Sequence, residues 1–379
     1  MSPKTILLIS RHDIQGDSSS ATITNSEYVA SYSWIESKAP TIAVPGIPPK
    51  WSPLATPRRL PKDCGLIYIA QNAARHPESP LEPLFRALFL MKPEFDVRNV
   101  DLVSDRNNLR KLLTFVDPSS SRNGLEAFTI NIEVRGNTII FARTESKTKE
   151  VILPHEFKGY GHEFEKAYTD SPIKNSTGHH RIITYGFAGL KLLVRYEVDG
   201  KKSSKMNKEG DLADLLGSMS ISATIDPYPL VSTTNKPATS KLMIQEQGSQ
   251  VPAESILEIK TRVAHKLINA SDIAPQLWVS QTPKLVRAYH RNGIFQQPQV
   301  EDMTDYISAW ERRNQDKLRK LATLIKEIIS AAKRFGGSAE LRYEGLGYNL
   351  MVKKVERDSM LPDDLHAHWY STTSSNDSD

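Results

Sequence analysis

One cysteine, Cys64, serves the whole chain of 379 residues. A lone thiol excludes an internal disulfide framework and any zinc or iron–sulfur centre that needs several cysteine ligands. It points to a reducing, intracellular compartment. Long apolar runs are missing too. Nothing approaches the roughly 18–20 residues that span a bilayer. The N-terminal run Ile6-Leu7-Leu8-Ile9 is too short for a signal-peptide core, so no membrane partner is expected. The chain has no Gly-x4-Gly-Lys-Ser/Thr segment, which argues against a P-loop ATPase. Charge of one sign is also scarce: 49 Lys+Arg against 44 Asp+Glu leave a formal +5, which permits a polyanionic partner without requiring one.

What is present divides unevenly along the chain. Residues 1–39 are Ser/Thr-rich without a sustained period and read as a flexible leader. Ten of the 23 prolines fall between Pro40 and Pro83, so residues 40–84 read as an extended arm with Trp51 as its anchor. Apolar spacing predicts a helix from Leu81 to Leu90 and a second one capped by Asp105. Alternation predicts strands at Thr129–Val134, Thr138–Arg143, Arg181–Tyr185 and Lys191–Asp199, with a helix over Gly161–Tyr168 between them. Residues 200–254 read as a disordered insertion with a short helix near Leu212–Leu216. Strands follow at Ser255–Lys260 and Lys284–Tyr289. One long helix then runs from Asp305 to Arg334, where Leu318, Leu321, Ile325, Ile328 and Ala332 form an apolar stripe that Gly336-Gly337 ends. A hairpin around Gly345-Leu346-Gly347 completes a domain of 85–355, and 356–379 reads as a flexible tail.

Two strand segments carry the chemistry. Glu197-Val198-Asp199 and Glu258-Ile259-Lys260 each set two ionisable residues two apart, on one face of a strand that begins with an apolar run. Buried charge without a partner is too costly to persist. A divalent cation shared by the carboxylates resolves that cost, and hard Mg²⁺ or Mn²⁺ takes such oxygen donors. Cross-strand salt bridges are the plainer alternative for either triplet alone. The pattern Asp…Glu-x-Lys is also that of the PD-(D/E)xK nucleases, where the carboxylates hold metal and the lysine orients or activates water.

The order of these segments resembles the DXO-type decapping exoribonucleases, the group that includes the fungal nuclear partner of the 5′–3′ exonuclease. That family carries a strand Arg, a Gly-Φ-x-Φ-Glu motif, a Glu-Φ-Asp motif and a Glu-Φ-Lys motif. Arg143, Gly161-His162-Glu163-Phe164-Glu165, Glu197-Val198-Asp199 and Glu258-Ile259-Lys260 occur here in that order. Pro275-Gln276-Leu277-Trp278, running into the strand Lys284–Tyr289, resembles the family's Gln-containing helix. Glu163 offers an alternative register for the second motif.

The resemblance implies an α+β fold in which two mixed β-sheets form a central active-site cleft with helices outside. It implies Glu165, Asp199, Glu258 and the carbonyl of Ile259 as ligands of two Mg²⁺ or Mn²⁺ ions. Glu197 and Lys260 would orient the attacking water, with Glu165 counted among the catalytic acids. Arg143 and Gln276 would touch RNA. The substrate would be an RNA 5′ end, opened by decapping, pyrophosphohydrolase or 5′–3′ exoribonuclease chemistry. A 5′–3′ exoribonuclease would be a partner and the nucleus the favoured compartment. Two other classes stay open: an RNA-end sensor that has lost turnover, and a PD-(D/E)xK DNA nuclease. Among other motifs, His179-His180 reads as a loop pair, Trp278 and Trp310 as core, and the Arg312-Arg313, Lys317, Arg319-Lys320 cluster as a solvated helix face.

Overall fold

The computed structural model describes residues 6–120, 124–202, 234–235 and 240–370. In chain order its principal strands are β1 (Ile6–Ser10), β2 (Ile23–Ile35), β3 (Thr41–Gly46), β4 (Leu102–Asp105) and β5 (Phe128–Arg135). Then come β6 (Thr138–Thr144), β7 (Ser176–Phe187), β8 (Leu190–Val198), β9 (Met243–Gly248), β10 (Ile256–Val263), β11 (Lys284–Arg291), β12 (Ser338–Tyr343) and β13 (Asn349–Val355). The helices are α1 (Gln71–Arg75), α2 (Glu82–Met91), α3 (Arg106–Val116), α4 (Gly161–Tyr168), α5 (Ala270–Ser280), α6 (Thr304–Arg313), α7 (Gln315–Phe335) and α8 (Asp363–His366).

Two mixed sheets dominate, as the α+β reading expects. The larger has twelve strands in the order β1-β13-β12-β5-β6-β4-β8-β7-β2-β3-β9, closed by the short pair-strand Thr234–Asn235. The smaller is built on the parallel pair β10 and β11, flanked by short strands at Lys50–Trp51, Thr169–Asp170, Gly200–Lys201, Ile294–Phe295 and Val300–Asp302. Helices α3, α5, α6 and α7 bury their apolar stripes on one face of the large sheet, and α2 covers the other. The α7 stripe of Leu318, Leu321, Ile325, Ile328 and Ala332 is wholly buried, as its spacing predicts. Among the described residues no helix is long and apolar enough to cross a membrane.

Several expectations are corrected. Of the expected flexible leader 1–39, the described residues 6–39 are ordered, since β1 and β2 lie within the large sheet. From Val29 to Ile35 every residue of β2 is buried, because helices cover both faces of the sheet there. Tyr32 and Trp34 face the α2 side, while Ser33 faces the other, where its hydroxyl receives the N–H of Ile47 at 3.2 Å. With both faces buried, polar alternation disappears, and the strand looks featureless in sequence. The Pro-rich arm is integral as well: β3 adds to β2, and Trp51 is buried against Tyr168 with ring centroids 5.9 Å apart.

Strands packed with the 85–355 domain therefore reach back as far as Ile6 among the described residues. The supposed insertion contributes β9, which pairs in parallel with β3, and the proposed helix at Leu212–Leu216 lies outside the described residues. The described part of the tail is packed: Trp369 is buried 5.2 Å from the Phe85 ring. The predicted long helix is two, because Asn314 breaks from helical geometry and returns its side-chain amide to the Trp310 carbonyl at 2.8 Å.

Candidate active site

The cleft arises where the chain passes from one sheet to the other. Val198 still pairs with His179 in the large sheet, and Gly200 already pairs with Leu257 in the small one, so Asp199 sits at the crossing. Space is tight at Gly200: a Cβ would stand 3.2 Å from both Leu257 Cδ1 and the Pro49 carbonyl. The backbone N–H of Ile259 donates to Asp199 Oδ2 at 2.7 Å, which clamps the second acidic triplet to the first.

Glu258 and Lys260 share a face of β10 and bond each other, as their i, i+2 spacing requires. Glu258 also receives Arg106 Nη1 at 3.1 Å and the side-chain amide of Gln276. Burial pushes this carboxyl up, but Lys260 and Arg106 outweigh burial and hold it down at about 2. Burial pulls Lys260 down, and Glu258 with Asp199 reverses that to a net rise. Asp199 has the opposite balance. Burial and then Glu258 push it up to about 8, against the lowering by Lys260.

Glu165 projects from α4 into the same cleft, and burial followed by Asp199 and Glu197 raises its carboxyl well above the ordinary value. The helix is capped from a distance. Asp63 accepts the N–H of Gly161 at 2.8 Å and of Glu163 at 3.0 Å, satisfying two donors that α4 cannot satisfy itself. Glu163 turns to Lys166 at 2.7 Å, so Glu165 is the acid that lines the cleft.

Two cavities meet at Glu197. One, of about 820 Å³, is lined by Glu165, Glu197 and Asp199. The other, of about 100 Å³, is lined by Arg106, Arg110, Arg143 and Arg195. Gln71 borders both, with Nε2 donating to Thr177 Oγ1 at 3.0 Å and a buried Oε1 that has no partner. Gly178 makes room for this arrangement: a Cβ there would collide with Gln71 Oε1 and lie 3.1 Å from Glu197 Oε1.

All eight residues singled out in sequence are thus accounted for. Glu165, Glu197, Asp199, Glu258, Ile259 and Lys260 converge. Gln276 engages Glu258. Arg143 lines the smaller cavity with its Nε on Glu145 at 2.8 Å. Sequence reasoning missed Arg106, the arginine that reaches Glu258, although its place in the first turn after Asp105 was visible. Asp105 itself caps nothing, because both its oxygens go to Arg195, at 2.6 and 2.9 Å. It also missed Asp63 and Gln71, which had no local signal. His179-His180 is corrected from loop to strand: the pair lies in β7, His179 on Ser33 at 3.0 Å and His180 on Asn72 at 3.1 Å. Burial keeps both imidazoles well below their ordinary range and hence neutral.

The donor set suits a hard divalent cation. Glu165 and Asp199 are half-buried acids, Asp199 raises Glu165, and neither has an ion pair of its own among the described residues, whereas Glu258 has two. Because Glu258 turns to Lys260, Arg106 and Gln276, no group of three His, Cys, Asp or Glu is drawn tightly enough to hold an ion among the described residues.

Residues 4–369 match the family model described as Domain of unknown function (DUF8563). No curated protein matches in sequence. The fold is that of Rai1. Candida albicans Rai1 in complex with pU5-Mn²⁺ is similar with a TM-score of 0.60 at 10% identity, covering 96% of this chain and 98% of that one. Scheffersomyces stipitis Rai1 in complex with (3′-NADP)+ and calcium ion gives 0.59 at 11%, covering 97% and 99%. A mutant S. pombe Rai1 in complex with 3′-FADP gives 0.55 at 12%, covering 93% and 99%.

Proposed function

The chain belongs to the family described as Domain of unknown function (DUF8563), and we propose that it is a divalent-metal-dependent hydrolase of RNA 5′ ends. The observation that carries this reading is the Ile259 N–H to Asp199 contact at 2.7 Å, which brings two acidic triplets from different sheets into one cleft facing Glu165. Glu165, Asp199, Glu258 and the Ile259 carbonyl would hold the cation, which would supply charge neutralisation at the phosphate and a more acidic water. In this proposal two ions, Mg²⁺ or Mn²⁺, serve the site.

The remaining steps belong to the chain. Glu197, open to solvent at the junction of the two cavities, accepts the proton of the attacking water. Lys260 holds that water on the Glu258 side, where its ammonium lies. Water adds to phosphorus, the P–O bond to the leaving group breaks, and the leaving oxygen departs with the electron pair. Arg106 and Arg143 stabilise the charge on the phosphate oxygens, since guanidinium geometry suits a bidentate grip.

A panel of RNAs with defined 5′ ends, incubated with Mn²⁺, tests this. Asp199→Ala with Glu258→Ala is expected to abolish turnover; turnover equal to wild type would reject the assignment. The complete pairing of Glu258 with Lys260, Arg106 and Gln276 favours a second reading, an RNA-end sensor without turnover. Calorimetry separates the two, because a sensor of that kind binds RNA ends and takes up no Mn²⁺. A 5′–3′ exoribonuclease partner and a nuclear setting belong to the same proposal, tested by co-purification and by localisation of the tagged chain.

A further inference from the structure

The excess positive charge of the chain sits almost entirely in one helix pair. Residues 304–335, which form α6 and α7, hold eight Lys and Arg against four Asp and Glu, a net +4 of the whole chain's +5. Two of those four acids are already engaged. Glu311 turns inward, where its Oε2 accepts the N–H of Ile23 at 2.9 Å and the indole N–H of Trp278 at 2.6 Å. Asp316 pairs with Arg319 at 3.3 Å. On the outside, Arg312, Arg313, Lys320, Lys333 and Arg334 are exposed and Lys326 is half-exposed. None of these six has a carboxylate within ion-pair distance among the described residues. Asp17 feels Lys326 only weakly: hydrogen bonds from Ser19 lower its carboxyl first, and Lys326 contributes last. Arg319, Lys326 and Lys333 follow at seven-residue steps, so they line one side of α7 about 10 Å apart.

Like charges at helical spacing repel, and water and salt only reduce that cost. A polyanion removes it and gains the entropy of released counterions. The surface also selects among polyanions. No large apolar side chain between 304 and 335 is exposed, so nothing is available to insert into a bilayer. For the same reason the face lacks the aromatic anchors that carry most protein interfaces. What remains is a straight ridge of cations, the complement of a phosphate backbone. The ridge is rigid, because the opposite side of α7 is buried on the large sheet.

We propose that α6 and α7 form a second RNA contact, which holds the phosphate backbone downstream of the 5′ end without reading its bases. This rests on the RNA 5′-end reading and adds the site for the body of the same strand. The two sites share one frame: α7 packs on α3, and α3 begins with Arg106, which reaches Glu258 in the acidic cleft. A strand held at both places binds more tightly than its end alone, so long RNAs are favoured over short ones.

Equilibrium binding to the full chain in EDTA, which prevents turnover, decides this with unstructured 5′-monophosphate RNAs of 40 and of 5 nucleotides. Wild type is expected to hold the 40-mer about tenfold or more tightly than the 5-mer. Arg312→Gln with Lys320→Gln and Lys326→Gln is expected to weaken the 40-mer about 10- to 100-fold at about 0.1 M salt. The same variant is expected to reduce the slope of log K against log salt by about 2, for three lost phosphate contacts. Lys266→Gln with Lys353→Gln and Lys354→Gln removes as much exposed charge elsewhere and is expected to bind the 40-mer as wild type does. Equal affinity of wild type for both lengths, an unchanged ridge variant, or equal weakening in the control variant would overturn the proposal. Tighter binding to phosphatidylserine vesicles than to the 40-mer would overturn it in favour of a membrane. Turnover of the 5-mer with Mn²⁺ is expected to be the same in the ridge variant and wild type, and its loss in the variant would place the effect in the cleft and overturn the ridge. If wild type hydrolyses no RNA end, the 5′-end reading fails, and binding of the 40-mer alone decides the ridge. Unfolding midpoints confirm that each variant is folded.

Discussion

Asp63 holds the first turn of α4: its carboxylate accepts the N–H of Gly161 at 2.8 Å across 98 residues of chain. The same side chain takes the N–H of Glu163 at 3.0 Å, so a residue of the Pro-rich segment fixes the helix that presents Glu165. Asp63→Ala is expected to destabilise the protein by about 1–2 kcal/mol, the usual cost of a lost N-cap. Amide exchange at residues 161 and 163 is expected to accelerate more than exchange in α7. Unchanged exchange there would show that the cap does not hold the helix.

A second pair lies beneath the arginine cavity. Arg195 and Asp105 are bidentate at 2.6 and 2.9 Å, and Arg195 also donates to the Pro80 carbonyl at 2.7 Å. Burial pulls Arg195 down, yet Asp105 and Tyr32 together outweigh burial and raise it. Breaking one partner leaves a buried charge alone, so Asp105→Ala is expected to cost about 3–5 kcal/mol in denaturant unfolding. The double substitution Asp105→Leu with Arg195→Met is expected to cost less than the single one. A double variant less stable than Asp105→Ala would contradict this account.

Gly178 has an ordinary backbone, so its role is space. Gly178→Ala puts a methyl group against Gln71 Oε1 and Glu197 Oε1, both ends of movable side chains. The fold is expected to tolerate this within about 1–3 kcal/mol, while turnover of RNA ends falls sharply because Glu197 shifts. Normal turnover with a normal melting temperature would mean that neither side chain needs its position.

Acid stability gives a prediction away from the cleft. Glu82, buried in the first turn of α2, meets His76 at 2.7 Å and Arg86 at 3.0 Å. Burial raises its carboxyl, but His76, Ser240 and Arg86 together lower it below the ordinary 4.5. A folded value below the unfolded one means the unfolded state binds the proton more readily. The stability from this group is therefore present above pH 4.5 and disappears as pH falls through the folded value. Glu82→Gln is expected to flatten the acid limb of stability against pH and to lower stability near neutrality. Parallel acid limbs for the two proteins would remove Glu82 from the explanation.

The cleft was legible where its chemistry is written locally. Glu197-Val198-Asp199 and Glu258-Ile259-Lys260 have a spacing of two, which alone puts each pair on one face of a strand. The α7 stripe was legible for the same reason, at a different period. Residues whose partners are distant were not. Asp63 lies among prolines, Gln71 in a five-residue helix, and Arg106 seemed to belong to a helix capped by Asp105. Each acquires its role from a contact made across a sheet or between sheets.

The sequence by itself determined the local periods and the two charged triplets, whose carboxylates would offer a metal ion oxygen donors. Tertiary structure decided that Ile23–Ile35 is an interior strand of the large sheet, since its stretch from Val29 to Ile35, buried on both faces, loses the alternation that would reveal it. It also decided which arginine reaches Glu258 and which is left facing a cavity. Charge pairing depends on distance and burial in space, and neither is encoded in the spacing of residues along a chain.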